Sequence, residues 1–224
     1  MSPPKQATRG QLSRDVIVEK ALTLAASEGL EALTIRRLAN EFDVTPMALY
    51  WHFSTKEDLL DATADRVLDG IQVAVPDDAP WREQLRAALT GLVDALRANP
   101  QIAPLVPTRI IACESGLALT ERALSALATA GFSTAEAAQI AGQAMLTAIT
   151  LVTSDGVDDS GTSAAEREEH LRKKHAALAA LPPDRYPHVL AASTDMTRHA
   201  DVEGFFDFGI TLFITGVVGL APNP

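Results

Sequence analysis

Residues 33–60 decide the fold, and they read LTIRRLANEFDVTPMALYWHFSTKEDLL. Thr34 precedes a run whose apolar residues recur at helical spacing, which predicts a short helix over residues 35–42 with Thr34 as its N-cap. After a two-residue turn, the pair Thr45-Pro46 supplies an N-cap followed by proline at the first helical position. This pair predicts a second short helix that ends at about residue 52. Two short helices joined by so tight a turn form the helix-turn-helix arrangement.

Helices are also predicted on both sides of this pair. Ser13 is a plausible N-cap for an earlier helix that stops at Gly29. Ser54 stands three residues before Glu57, which is the spacing of a capping box and predicts the start of a longer helix. In the tight turn, Asp43 is one of the few residue types that tolerate a left-handed backbone.

Residues 33–60 closely resemble the DNA-binding domain of the TetR family of transcriptional regulators. The resemblance implies that the residues facing DNA are Thr34, Arg36, Thr45, Met47, Ala48, Tyr50, His52 and Lys56. The chemistry of several side chains agrees with this implication. Arg36 can donate a fork of hydrogen bonds to guanine or grip a phosphate, and Lys56 can donate to phosphate oxygens. Met47 and Ala48 offer only apolar contact, for example with a thymine methyl group.

Structural roles compete with these assignments at several positions. Leu49 and Phe53 are expected in the core, and Trp51 is expected to brace the domain. Tyr50 fits either role, and His52 fits a cap of the helix as well as a DNA contact. Two basic residues near the N-terminus, Arg9 and Arg14, form either an arm toward DNA or a solvated tail.

Composition and charge agree with a helical protein whose two halves differ. Of the 224 residues, 47% are hydrophobic and 5% are aromatic, which favours an aliphatic helical core over a β-sandwich. The net charge is −10. Seven Lys or Arg stand against six Asp or Glu through residue 56, and twelve stand against twenty-three after it. The acidity therefore belongs to the second half, and the first half is electrostatically separate.

The rest of the chain is also predicted to be helical. Helices are expected from Trp81 to Asn99, over residues 114–130 and 134–153, over residues 164–181, and over residues 202–220, with prolines breaking the stretch after Asn99. The fold class is therefore all-α. We predict three parts: a three-helix helix-turn-helix DNA-binding domain over 1–56, a connecting helix over 57–74, and a ligand-binding and dimerisation domain over 80–224.

The second part of the chain resembles, more loosely, the tetracycline-repressor type of regulatory domain. That resemblance implies a pocket for a small-molecule effector. A magnesium-binding imidazole would be expected at Val106 or Leu105, and neither side chain can bind the ion. We therefore expect no metal or cofactor, and a mostly hydrophobic cavity with two polar groups. For each apolar residue of the lining, ordinary core is the alternative. The predicted lining is Gln72, Leu89, Leu92, Val106, Arg109, Met145 and Ile149.

Two helices are predicted to join two copies of the chain. Residues 134–153 are apolar on more than one face, and Gly209 and Gly216 lie on one face of the helix over 202–220. The missing side chains would let another helix approach closely, as in the dimer interface of the family. The alternative is that both helices are central in a monomer.

The function predicted from these features is ligand-responsive transcriptional repression by a homodimer on palindromic operator DNA. An enzyme is disfavoured because the sequence has no glycine-rich phosphate loop, no G-x-S-x-G and no H-E-x-x-H motif. The alternative is a dimeric small-molecule-binding protein without DNA function. A cytoplasmic location is expected from the single cysteine and the lack of a signal peptide, and the apolar run over 208–220 is expected to be a buried helix rather than a membrane span.

Overall fold

The computed structural model describes residues 12–154, 163–197 and 201–222, and these residues form helices and turns without any β-strand. The all-α prediction is confirmed. Two short 3₁₀ turns, Leu30–Ala32 and Pro100–Leu105, connect helices. The helices are α1 (Arg14–Glu28), α2 (Ile35–Glu41), α3 (Pro46–Tyr50), α4 (Lys56–Asp69), α5 (Trp81–Ala98), α6 (Val106–Arg109), α7 (Glu114–Thr129), α8 (Thr134–Thr153), α9 (Ala164–Ala179), α10 (Pro187–Thr197) and α11 (Val202–Leu220).

Side-chain caps fix the starts of the first helices. The hydroxyl of Ser13 accepts a hydrogen bond from the backbone N–H of Val16 at 3.2 Å, and that of Thr34 accepts one from Arg37 at 3.1 Å. The predicted cap of α4 was wrong by one residue. Thr55, not Ser54, is the N-cap, and it accepts from the N–H of Asp58 at 3.0 Å. The carboxylate of Asp58 accepts in turn from the backbone N–H of Ser54, so both residues take part in a reciprocal cap.

Helices α1 to α4 share a compact apolar core. Its buried members are Ile17, Val18, Ala21, Leu24, Leu33, Ile35, Leu38, Ala39, Leu49, Phe53 and Leu59. The turn between α2 and α3 passes through Asp43, whose φ of 53° lies in the left-handed region. The expectation that this aspartate adopts such a backbone is confirmed. Of the five residues of α3, Leu49 is the one that is buried in this core.

Helix α4 ends earlier than the sequence predicts, and tertiary contacts fix the segment that follows it. The helix ends at Asp69 with Gly70 as its C-cap, and residues 71–74, which were predicted to be helical, are not. Close packing fixes the segment that follows: a Cβ atom at Gly91 of α5 would lie 2.7 Å from the carbonyl oxygen of Gln72. Arg122 of α7 donates to the carbonyl oxygen of Val75 and forms an ion pair with Asp77 at 2.9 Å.

Inter-residue contacts divide the chain into two compact units, Met1–Thr153 with Phe208–Pro224 and Ser154–Asp207. Within the second unit, α9 packs against α10, and His175 and Thr197 share a hydrogen bond of 2.9 Å. Helix α10 was not predicted, although Pro187 stands at its first position.

The last helix is less buried than expected. By length and composition α11 is able to cross a membrane, and 22% of its apolar window is buried. The expectation that the run over 208–220 is a buried helix was therefore wrong for the single chain. The helix has 19 residues, and Phe208, Leu212 and Leu220 are exposed on it.

Candidate nucleic-acid interface and effector cavity

Helix α3 presents large side chains to solvent. Met47 is 66% exposed, Tyr50 is 49% exposed and Trp51, just after the helix, is 83% exposed. Leu49 and Phe53 are fully buried, as predicted. The expectation that Trp51 braces the domain was wrong, because Leu49 and Phe53 fill the core and leave the indole outside it.

Two adjacent arginines of α2 have different environments. The guanidinium of Arg37 forms ion pairs with Glu28 at 2.6 Å and with Glu41 one turn later, and hydrogen bonds to these carboxylates raise the pKa of Arg37. Arg36 is exposed, and within the part of the chain that the structure describes it makes no ion pair or side-chain hydrogen bond. Arg37 therefore ties α2 to α1, while Arg36 is available to a ligand outside the protein.

Arg14 is part of the domain and not of a free arm. Its guanidinium donates to the carboxylate of Asp58 at 2.8 Å and to the carbonyl oxygen of His52 at 2.7 Å, and it lies 4.3 Å from the ring centre of Phe53. Its hydrogen bond is the main cause of the lowered pKa of Asp58. The other residue of the predicted arm, Arg9, lies outside the described residues.

The remaining predicted DNA contacts surround α3. Thr34 and Thr45 are exposed, and Ala48, His52 and Lys56 are half-buried. The arrangement places an apolar and aromatic surface on a short helix, with an arginine on the helix before it and a lysine at the start of the helix after it. Such a helix fits the major groove, while flanking cations can neutralise phosphates.

A second candidate site is an apolar cavity of about 40 Å³ between α5, α7 and α8. Three predicted effector residues line it, namely Leu89, Leu92 and Met145. The mostly apolar character of the other lining residues was expected, although they are not among the seven predicted effector residues. Among the described residues, the lining consists of Leu85, Ala88, Leu89, Leu92, Ile110, Leu119, Thr120, Ala123, Ala141, Ala144 and Met145.

Four predicted effector residues lie outside this cavity. Val106 is fully buried at the start of α6, Ile149 is half-buried on α8, and Gln72 is exposed after α4. Arg109 contacts α4 instead: it donates to both carboxylate oxygens of Asp65, at 2.9 and 2.7 Å, and to Asp61 at 3.1 Å. This contact could not be found from sequence, since 44 residues separate the partners and no helical spacing relates them.

Neither site shows the ligands of a catalytic or structural metal. The described residues contain no group of three or more His, Cys, Asp or Glu side chains placed to hold an ion. The lone cysteine, Cys113, lies next to the Arg109 contact, and burial is the main cause of the raised pKa of its thiol. A thiol that remains protonated at neutral pH is a poor nucleophile.

Both parts of the chain match family models. Residues 17–63 match the model described as bacterial regulatory proteins of the tetR family, and residues 75–220 match the tetracyclin repressor-like C-terminal domain. The chain belongs to the TetR family of transcriptional regulators. Family members of this kind are regulators, and this TetR-family chain is accordingly a regulator and not an enzyme.

Individual relatives match over nearly the whole chain. An HTH-type transcriptional regulator of Saccharopolyspora erythraea is 31% identical over 224 residues, covering 98% of this chain and 90% of that protein. The tetracycline repressor protein class C of Escherichia coli is 30% identical over 216 residues, covering 92% and 91%. The TetR family protein ActR of Streptomyces coelicolor, solved in complex with actinorhodin, superposes with a TM-score of 0.78 at 26% identity, covering 95% of this chain and 99% of that chain.

Proposed function

We propose that this regulator binds a palindromic operator as a homodimer and is released from it by a small, largely hydrophobic effector. The observation that carries the proposal is the exposed face of α3 beside Arg36, an arginine with no intramolecular partner among the described residues. The eight predicted contact residues remain our assignment of the interface. Because the target is DNA, we place the protein in the cytoplasm.

The apolar faces of α8 and α11 support the homodimer. Leu146 on α8 is 48% exposed, and Phe208 and Leu212 on α11 are 68% and 64% exposed. Gly142 and Gly216 have open space where a Cβ atom would point, whereas a Cβ at Gly209 would clash with Leu151 of the same chain. Apolar surface of this kind on two neighbouring helices is typical of a self-complementary interface.

The chemistry of the cavity supports a hydrophobic effector. Thr120 is the one polar residue in the described part of its lining, and the hydroxyl of Thr120 already donates to the carbonyl oxygen of Gly116 at 2.8 Å. The ActR complex with actinorhodin is a precedent for a small molecule bound to this fold. At about 40 Å³ the cavity is far below the roughly 300 to 1,000 Å³ of ordinary ligand sites. An effector of drug-like size must therefore push its walls apart.

The Arg109 contact supplies a route from the cavity to DNA. Ile110 lines the cavity, and the preceding residue, Arg109, holds Asp61 and Asp65 of α4. Five residues separate the end of α3 from the start of α4. A displaced α6 would therefore move α4 and change the separation of the two α3 helices in the proposed dimer. Such couplings are typically worth about 1 to 3 kcal/mol, and DNA must weaken effector binding to the same extent.

The two arginines of α2 provide a matched test of the DNA interface. Duplexes enriched by the protein from a random pool are titrated, alongside an unrelated duplex, with wild type, Arg36→Ala and Arg37→Ala. We expect Arg36→Ala to weaken binding of the enriched duplex by about fivefold or more, corresponding to about 1 to 3 kcal/mol for a lost base contact, and binding of the unrelated duplex much less. Arg37→Ala should lower the melting temperature while the folded protein keeps its preference for the enriched duplex.

Three outcomes of this titration would contradict the proposal in different ways. Equal losses on both duplexes would make Arg36 a phosphate contact. If only Arg37→Ala loses the preference for the enriched duplex, the proposal has assigned the DNA contact to the wrong arginine. A protein that enriches no duplex at moderate salt would favour the alternative, a dimeric small-molecule-binding protein without DNA function.

A further inference from the structure

We propose that the recognition helix α3 selects thymine in its operator through the C5-methyl group, and that Met47 is the side chain that contacts it. This inference rests on the proposed function, because it assumes that α3 enters the major groove. It adds the kind of base that the helix selects and the residue responsible.

The composition of α3 removes the usual polar means of reading bases. Guanine is most often read by Arg or Lys, and adenine by Asn or Gln. Between Arg37 and Lys56 the sequence has no Lys or Arg, and between Asn40 and Lys56 it has no Asn or Gln. Pro46–Tyr50 therefore contains, apart from the phenol of Tyr50, no side chain that can hydrogen-bond to a base edge.

The burial pattern makes Met47 the most exposed apolar side chain at the N-terminal end of α3, since Pro46 and Ala48 are half-buried. Met47 is the second residue of α3 and is 66% exposed, while Leu49 is fully buried. The N-terminal residues of a recognition helix are those that reach base edges. A thioether side chain is flexible and polarizable, which suits close contact with another apolar group.

The major groove offers one apolar group for this side chain to contact. Among the four base pairs, only those containing thymine carry a methyl group in the groove. Without such a partner, Met47 would lose water on binding and gain no contact beyond the polar base edges. Arg36, which lies outside α3, remains available for guanine or phosphate elsewhere in the half-site.

Deoxyuridine substitution tests this inference at the level of single atoms. It removes the methyl group of thymine and leaves every hydrogen-bonding group unchanged. A duplex enriched by the protein from a random pool is resynthesised with deoxyuridine at each thymine in turn, and its Kd is measured by fluorescence anisotropy. We expect one thymine in each half-site to cost about fourfold, and the two together about fifteenfold, on the scale of one buried methyl group each.

A variant pair links the effect to the proposed residue. In Met47→Ala the penalty for deoxyuridine should fall below about twofold. Met196→Ala is the matched control, because Met196 is 52% exposed on α10 and lies outside the proposed interface. That variant should keep the full penalty. Circular dichroism on both variants verifies that they are folded.

The failures of the two proposals are distinguishable. If duplexes are enriched but no deoxyuridine changes Kd by more than twofold, the thymine inference is overturned while the proposed function stands. A full deoxyuridine penalty in Met47→Ala would also overturn it, because another residue would then contact the methyl group. If no duplex is enriched by the folded protein, both proposals fail.

Discussion

At the scale of single residues, the backbone conformation of Asp43 in the turn before α3 restricts which side chains that position accepts. Asp43 has a φ of 53°, a conformation that costs most L-residues roughly 1 to 2 kcal/mol and a β-branched residue most of all. We expect Asp43→Val to be less stable by about 1 kcal/mol or more, which for a chain of this size lowers Tm by about 2 to 4 °C. Asp43→Gly should melt at or above the wild-type temperature.

Differential scanning calorimetry on the three proteins decides this prediction. A valine variant as stable as wild type would mean that the turn relaxes to an ordinary backbone, and the geometry assigned to residue 43 would be wrong. The same turn sets the position of α3, so the valine variant should also bind DNA less tightly than the glycine variant.

The environments of individual side chains in the candidate interface could not all be predicted from the sequence. Arg36 and Arg37 are chemically identical neighbours, and only the positions of Glu28 and Glu41 separate the structural arginine from the available one. Trp51 was expected to brace the domain, yet Leu49 and Phe53 fill the core and leave the indole exposed. Five helical residues are too few for periodicity to fix which face is buried.

At the scale of secondary-structure elements, the strength of local signals decided which predictions held. Helix α8 was predicted with its observed ends, and α1 and α2 with their capping residues. These signals act over three or four residues, so sequence contains them fully. The end of α4 depends instead on close packing of the following segment against Gly91, and the contact between α6 and α4 depends on tertiary structure.

The contact between α6 and α4 predicts a specific loss of local order. Arg109 is 17% exposed in its side chain and makes three hydrogen bonds to α4, whereas the ion pair of Arg66 with Glu19 joins side chains that are more than half exposed. Replacing Arg109 by Gln leaves the Asp65 carboxylate without its charged partner, at a cost of about 1 to 2 kcal/mol. We expect backbone amides near Asp65 to exchange hydrogen about tenfold faster in this variant.

Hydrogen exchange with mass spectrometry on Arg109→Gln and Arg66→Gln provides the comparison. The Arg66 variant should differ little from wild type, because exposed ion pairs contribute at most about 1 kcal/mol. Equal exchange in both variants would remove Arg109 from the proposed route between the cavity and DNA. A folded Arg109 variant should in addition lose part of its response to an effector, once one is known.

At the scale of the whole molecule, charge and apolar surface point to different partners. The segment after residue 56 contains twelve Lys or Arg against twenty-three Asp or Glu, so it repels the phosphate backbone. We therefore expect DNA to bind through the N-terminal helices, and in the proposed dimer two copies would supply the affinity of two half-sites. Helix α11 is also long and apolar enough to cross a membrane. A second copy of the chain is favoured instead, because a Cβ atom at Gly216 would meet open space and the neighbouring α8 also exposes apolar side chains.

A charge placed on that face should separate the two copies. Leu212 is 64% exposed, and Leu212→Glu would put a carboxylate into an apolar interface, where an unpaired charge costs several kcal/mol. We expect sedimentation velocity at micromolar concentration to give a monomer for this variant and a dimer for wild type. Met196→Glu, on α10 and also exposed, adds the same charge and should remain dimeric.

The Leu212 variant should also bind an enriched duplex at least about a hundredfold more weakly, since one half-site loses the advantage of being tethered to the other. A Leu212→Glu protein that stays dimeric would exclude this face from the interface, and a monomer with undiminished operator affinity would show that a single recognition helix is sufficient.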